Sequence, residues 1–251
     1  MRQSSLATVS AGFFLAFPVN AETPAFDRPG TGFSVTTLPA GTFAWEQGLP
    51  DASRDKSTGV TETLYRADAL IRAGLLPNLE LQISHSPYNY LRETGPERTR
   101  KTEGASGTGF SLKYALPDLG DTLSWAVLGG TTIDTGNTPF SPDDTIYSLG
   151  TSLEWQRQED RSLSLYFNID QSDSESTITI SPSYSATISP CTGAYVELDY
   201  IHVEGNSQML IGGGITRMVT ETVQLDLYSN IGLNSNSADW QAGFGFSVFF
   251  E

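Results

Sequence analysis

The chain predicts an all-β fold, an antiparallel transmembrane β-barrel of about 12 strands. Three observations carry this. Apolar and polar residues alternate with the strand period through nearly all of the chain after residue 21, and no segment there shows a helical stripe. The chain opens on a short basic and apolar segment of secretory type. The connections alternate between tight turns and longer polar loops, as in barrels that cross an outer membrane.

Arg2 supplies the basic start, residues 11–17 the apolar run, and Val19-Asn20-Ala21 a small-x-small cleavage site before Glu22. Residues 1–21 therefore read as a signal peptide and 22–251 as one barrel domain. Within that domain, 22–41 is an irregular lead-in rich in Pro, Gly and Thr. No later stretch reaches the roughly 20 apolar residues of a membrane helix. A polar average (mean hydropathy −0.21) is still what a barrel gives, because only alternate residues of each strand meet lipid.

The strands follow in order. Phe43, Trp45 and Leu49 alternate with Ala44, Glu46 and Gly48; Tyr65, Ile71 and Ala73 with Arg66, Asp68 and Arg72; Leu79, Leu81 and Ile83 with Glu80 and Gln82. Phe110, Leu112 and Tyr114 alternate around Lys113. Leu123, Trp125 and Val127 start another strand, and Tyr147, Leu149, Leu153 and Trp155 alternate with Ser148, Ser152 and Glu154. Leu163, Leu165, Phe167 and Ile169 enclose Tyr166 and Asp170; Ile178, Ile180 and Tyr184 alternate with serine and threonine; Val196, Leu198 and Tyr200 alternate with Tyr195, Glu197 and Asp199. Met209, Ile211 and Ile215 lie on a glycine-rich strand, and Leu225, Leu227 and Ile231 alternate with Asp226 and Tyr228. The last strand is the clearest: Trp240, Ala242, Phe244, Phe246, Val248 and Phe250 make one apolar face, opposite small or polar residues.

Tight turns are expected at 77–78, 117–121, 158–160, 190–193 and 219–221, and long polar loops at 91–106 and 134–144. The short set belongs on the periplasmic side. An even strand count puts both chain ends on one side. Hydrocarbon offers no hydrogen-bond partners, so the sheet must close, with 43–49 beside 240–250.

The formal charge of −15 argues against nucleic-acid binding, which needs a basic surface. Cys191 is the single cysteine, so no internal disulfide forms. His85 and His202 are the only histidines. Both continue outward-facing series, which places them at the interface rather than in a catalytic group. Asp134, Asp143 and Asp144 match no recognised calcium loop. The residues call for no enzymatic activity, cofactor or metal. Trp45, Trp125, Trp155 and Trp240 are expected in interfacial girdles.

Strand parity sends Glu46, Arg66, Asp68, Arg72, Glu80, Lys113, Glu154, Tyr166, Asp170, Tyr195, Glu197, Asp199, Asp226 and Tyr228 to the lumen. Facing lipid at the midplane, an Arg or Lys would cost about 2–4 kcal/mol, so folding alone requires this segregation. The inward charges fit either a conducting pathway or a plug in which Arg66, Arg72 and Lys113 are neutralised by neighbouring carboxylates.

Arg28-Pro29-Gly30, then Pro39-Ala40-Gly41 followed by Glu46 and Gly48, then Leu70-Ile71-Arg72-Ala73-Gly74-Leu75 with Asn78-Leu79-Glu80-Leu81, form an ordered series of short motifs. Gly109-Phe110-Ser111-Leu112-Lys113-Tyr114, Val223-Gln224-Leu225-Asp226 and 239–247 continue it. In order and spacing, from Arg28 to the C-terminus, the chain resembles the outer-membrane "MetA-pathway of phenol degradation" family of transporters. It departs at Ala73, where that family carries an aromatic residue, and at Glu251, which follows the expected terminal aromatic. The resemblance implies a β-barrel passing small compounds, aromatic or apolar ones among them. The expected partners are outer-membrane lipid, the barrel insertion machinery and a small-molecule solute. The alternatives are a structural or surface-interaction barrel with a plugged lumen and, further off, a barrel lipid hydrolase.

Overall fold

The computed structural model describes residues 25–57 and 59–251; the signal-peptide assignment lies outside them. Fifteen strand segments follow in order: β1 (Phe43–Ser57), β2 (Val60–Arg66), β3 (Ala69–Leu76), β4 (Leu79–His85), β5 (Asn89–Thr94), β6 (Thr99–Gly104), β7 (Thr108–Leu116), β8 (Leu123–Ile133), β9 (Ile146–Gln158), β10 (Arg161–Gln171), β11 (Ser176–Ser189), β12 (Thr192–Val203), β13 (Asn206–Met218), β14 (Val223–Gly232) and β15 (Trp240–Phe250).

These segments make twelve walls. β1 pairs first with β3 and then with β2, so β2 and β3 are one strand interrupted near Ala67 and Asp68. β4 with β5, and β6 with β7, are interrupted in the same way and pair alongside. β8 to β15 follow as antiparallel neighbours, and β15 closes on β1 with Phe43 opposite Phe250 and Trp45 opposite Val248. The barrel is thus closed with twelve strands, and no lipid-level edge is left unpaired.

The tight turns fall where the alternation breaks, and at Asn78 the chain takes a left-handed conformation (φ 65°) that asparagine tolerates better than most side chains. One expectation is corrected. Much of 91–106 is not a loop. It is a hairpin of β5 and β6, which with β2 and the upper part of β1 extends the wall beyond the barrel on the side of the long connections. Water bathes both faces there, so no apolar face is needed and no alternation announces the strands. Residues 134–144 are irregular, as expected; Asn137 ties back to Ala105 through its backbone N–H and its side-chain oxygen.

Large apolar side chains point outward and are exposed, among them Leu112, Leu149, Leu165, Leu227 and Phe244. Aromatic residues flank this band. Phe43, Tyr114, Trp125, Trp155 and Phe250 lie near the tight-turn end; Tyr65, Tyr147 and Trp240 lie near the other, as amphipathic rings do at membrane interfaces. The apolar cluster inside is small: Leu38, Ala44 and Phe249, with Phe26 against them. The fully buried large side chains are mostly charged or polar, so the interior is a polar lumen.

Candidate functional site: the barrel lumen

Residues 25–41, irregular as the sequence implies, run inside the barrel as a strap. Strand register prepares its seat. Lys113 stands opposite Glu80 across β4 and β7, and Gln82 stands opposite Arg72 across β3 and β4. Glu46 lies two residues from Ala44, the partner of Arg72 on β1. Arg72 donates to Glu46 at 2.8 Å and to Glu80 at 2.7 and 3.0 Å. The strap inserts Asp27 among them. Its carboxylate accepts from Lys113 Nζ at 3.0 Å, from Gln82 at 2.7 Å and from the Ser34 N–H at 2.9 Å. Glu46 in turn accepts the Asp27 and Arg28 N–H groups at 3.0 and 2.6 Å. Burial pushes the Asp27 carboxyl up, but the charges of Arg72 and Lys113 outweigh this and hold it below its ordinary value of 3.8.

Arg28 makes the second attachment, bridging Asp51 at 2.9 Å and Asp226 at 3.1 Å. Burial opposes its charge, but both carboxylates hold its pKa above the usual range. Glycine makes room for it. A Cβ at Gly245 would meet the Gln47 carbonyl oxygen and then Arg28 Nε at 2.7 Å, and one at Gly48 would meet the Asp51 carboxylate and then Arg28 Nη1 at 2.9 Å, so a side chain at either position crowds the Arg28–Asp51 pair or the adjacent strand. Further along, the Thr31 N–H donates to Glu197 at 3.1 Å and the Leu38 N–H to Glu80 at 2.8 Å. Phe33 crosses between walls. Lys113 Nζ lies 5.8 Å from its ring centroid, and Tyr166 on β10 meets it edge-on at 5.6 Å.

The lumen candidates therefore separate into groups. Glu46, Arg72, Glu80 and Lys113 come together around Asp27, and Asp226 pairs with Arg28. Tyr228 sits beside Gly243, near Asp51. Arg66 and Asp68 pair with each other at 3.4 Å, both well exposed at the upper end. Glu154, Tyr166, Tyr195 and Glu197 line a cavity. Asp170 accepts from Ser148, and Asp199 lies near Asn230. Among the described residues, Glu154, Asp170, Glu197 and Asp199 have no ion-pair partner. The lumen carboxylates on the β1–β7 side are thus ion-paired, and those on the β9–β12 side are not.

The cavity, about 500 Å³, lies between the strap and the β9–β13 wall and reaches the Glu159–Arg161 turn at the tight-turn end. Ser152, Ser162, Ser164, Ser181, Ser183 and Ser185 give it a hydroxyl lining. A second, of about 460 Å³, lies nearer the other mouth, bounded by Asp68, Ser84 and the 139–142 segment. His85 borders that cavity, its Nδ1 3.3 Å from the Gly107 carbonyl. His202 stacks on Tyr200 and contacts Ser207 at 3.0 Å.

Strand parity does not reach Asp27, Arg28, Phe33 and Leu38, because irregular chain has no period. One signal does bear on them: the inward set holds three cations, Arg66, Arg72 and Lys113, against eight carboxylates. That imbalance calls for a cation from outside the strands, and Arg28 is one.

The family profile described as "Putative MetA-pathway of phenol degradation" matches residues 26–250, strap included. Among solved structures, the chain is similar to an outer membrane channel from Pseudomonas putida F1 (TM-score 0.68, 11% identity, 88% of this chain and 100% of that one covered). It is also similar to the KdgM porin (0.53, 10%, 84% and 98%) and to the translocator domain of the autotransporter NalP from Neisseria meningitidis (0.51, 11%, 90% and 90%). At such identities the likeness is one of fold. No curated protein sequence matches the chain at a significant level.

Proposed function

The chain belongs to the MetA-pathway of phenol degradation family, and from that premise we propose that it is a passive outer-membrane channel for small solutes. The observation that carries this is the hydroxyl-lined cavity beside the strap. A solute held there meets serines, two tyrosines and the unpaired carboxylates Glu154 and Glu197, so the route favours small polar solutes and cations over anions. Tyr166 and Tyr195 offer ring faces to an aromatic solute with polar substituents. The likeness to an outer membrane channel and a porin supports the reading. No energy-coupling element is needed, since the solute moves down its gradient.

A plugged barrel with a structural role is the second reading. It is favoured by the strap, whose ion pairs and Phe33 fill the opposite half of the lumen. Purified protein in planar bilayers separates the two. Channel function gives discrete conductance steps with cation preference, reduced in the Glu154→Gln/Glu197→Gln variant. Silence in bilayers together with no liposome swelling by small sugars or amino acids would overturn it in favour of the plug.

A further inference from the structure

The four-stranded extension beyond the barrel concentrates the chain's positive charge. Seven of the 14 Lys and Arg residues lie within 51–66 and 89–104, in a chain of net charge −15. Register sorts them between two faces. Arg54 pairs with Thr63, Thr63 with Arg92, and Arg92 with Lys101, so this row shares one face. One step further out, Lys56, Thr61, Thr94 and Thr99 continue it. One step toward the barrel, Ala52, Tyr65, Tyr90 and Glu103 share the same face, with the two tyrosine rings 6.2 Å apart. The opposite face carries Asp51, Asp55, Glu62 and Glu93, with Arg100 3.6 Å from Glu93.

The basic face is the lipid side. Tyr65 continues the outward series of β3, whereas Asp51 on the other face points inward to Arg28. Arg54 lies eleven residues along β1 from Phe43, which for a strand tilted about 40° is a height of about 28 Å. An apolar band is about 25 Å tall, so the tyrosines sit at its rim and the cations just beyond it. Arg54, Lys56, Arg92 and Lys101 are exposed, and among the described residues none has an ion-pair partner. Guanidinium and ammonium groups beside threonine hydroxyls, above an aromatic rim, make a surface suited to lipid phosphate.

We propose that this outer face binds the phosphates of the anionic glycolipid of the outer leaflet, with Arg54, Arg92 and Lys101 as its principal contacts. The acyl chains then pack below, on the exposed apolar band. Charge complementarity selects this occupant: the face offers three aligned cations against one carboxylate, Glu103, at the level where lipid head groups lie. The proposal concerns the outside of the wall and does not depend on the lumen conducting.

The test uses the full-length protein in detergent, titrated with bisphosphorylated lipid A and followed by native mass spectrometry. Arg54→Gln/Arg92→Gln/Lys101→Gln should weaken binding roughly a hundredfold. Arg100→Gln/Arg157→Gln/Arg217→Gln, which removes the same charge elsewhere, should change it less than about twofold if the site is local rather than a general field. Equal loss in the two triple variants would overturn the site. Equal binding of dephosphorylated lipid A by the parent would overturn the phosphate contact. Inorganic pyrophosphate, at matched phosphate concentration, should leave lipid A bound; full displacement would assign the face to free phosphate and overturn the lipid assignment.

Discussion

If the strap restricts the lumen, cutting its two ionic attachments should open it without unfolding the barrel. Asp27→Asn/Arg28→Gln does this. Around Asp27 the cluster holds two cations, Arg72 and Lys113, against three carboxylates, Asp27, Glu46 and Glu80. Neutralising Asp27 leaves two against two, so no buried cation is stranded. The loss falls on the contacts of Asp27 with Lys113 at 3.0 Å and Arg72 at 3.4 Å; Lys113 keeps Glu80 at 3.5 Å and Arg72 keeps Glu46 and Glu80. A hydrogen bond to a charged group contributes about 1.5–3 kcal/mol. Removing Arg28 takes two ion pairs, at 2.9 and 3.1 Å, from Asp51 and Asp226. That costs about 3 kcal/mol, the lower part of the range for a broken buried pair, because Arg28 retains some solvent contact. Adjacent attachments are not additive, so about 6 kcal/mol, the sum of the larger values, is an upper figure. It corresponds to a shift of at most roughly four powers of ten toward the displaced strap. In planar bilayers the variant should show larger or longer-lived conductance steps than the parent. Its heat-dependent gel shift should be unchanged, since the wall strands keep their pairing. An unchanged conductance pattern in a variant that still shifts on heating would refute the strap as the restriction.

Acid should act in the same direction as this variant. The folded Asp27 carboxyl is held below its ordinary value of 3.8, so its contribution to docking is fully present above that value and is lost as pH falls through the lower folded value. Protease cleavage within 25–41 should therefore increase below about pH 3.8 in the parent and respond less in Asp27→Asn. On the outer wall, Leu227→Arg, at an exposed position on β14, should destabilise the barrel in lipid by about 2–4 kcal/mol. A lumen change on β10, Ser164→Ala, should stay within about 0.5 kcal/mol. Urea titration in vesicles checks both, and equal effects would contradict the assigned faces.

Much of the wall is legible in the sequence because membrane and lumen impose opposite demands on successive residues. β15 is the clearest case: Phe244 and Phe246 face hydrocarbon, while Gly245 between them cannot carry a side chain, since the Gln47 carbonyl and Arg28 occupy that side. The same logic fails for β5 and β6. Above the bilayer no solvent difference separates the two faces, and Thr99 to Gly104 show charge without apolar alternation. Those strands are specified by pairing with β2, whose own register is set farther down the barrel.

The lumen was legible in composition but not in arrangement. Parity names Glu46, Arg72, Glu80 and Lys113 as inward, yet an inward carboxylate alone fits an open pore or a plug equally well. What distinguishes the two is which groups have partners, and that depends on the strap, which obeys no period. Its placement follows from electrostatics. Arg72 and Lys113 cannot neutralise the carboxylates on distant strands, so Asp51 and Asp226 attract a cation that a loose segment can carry to them, and Arg28 meets both. The walls that no such cation reaches are left acidic, and Glu154 and Glu197 on them line the cavity. A single arrangement thus places strap and cavity side by side: the strap lies where fixed charges can hold it, and the cavity remains where they cannot.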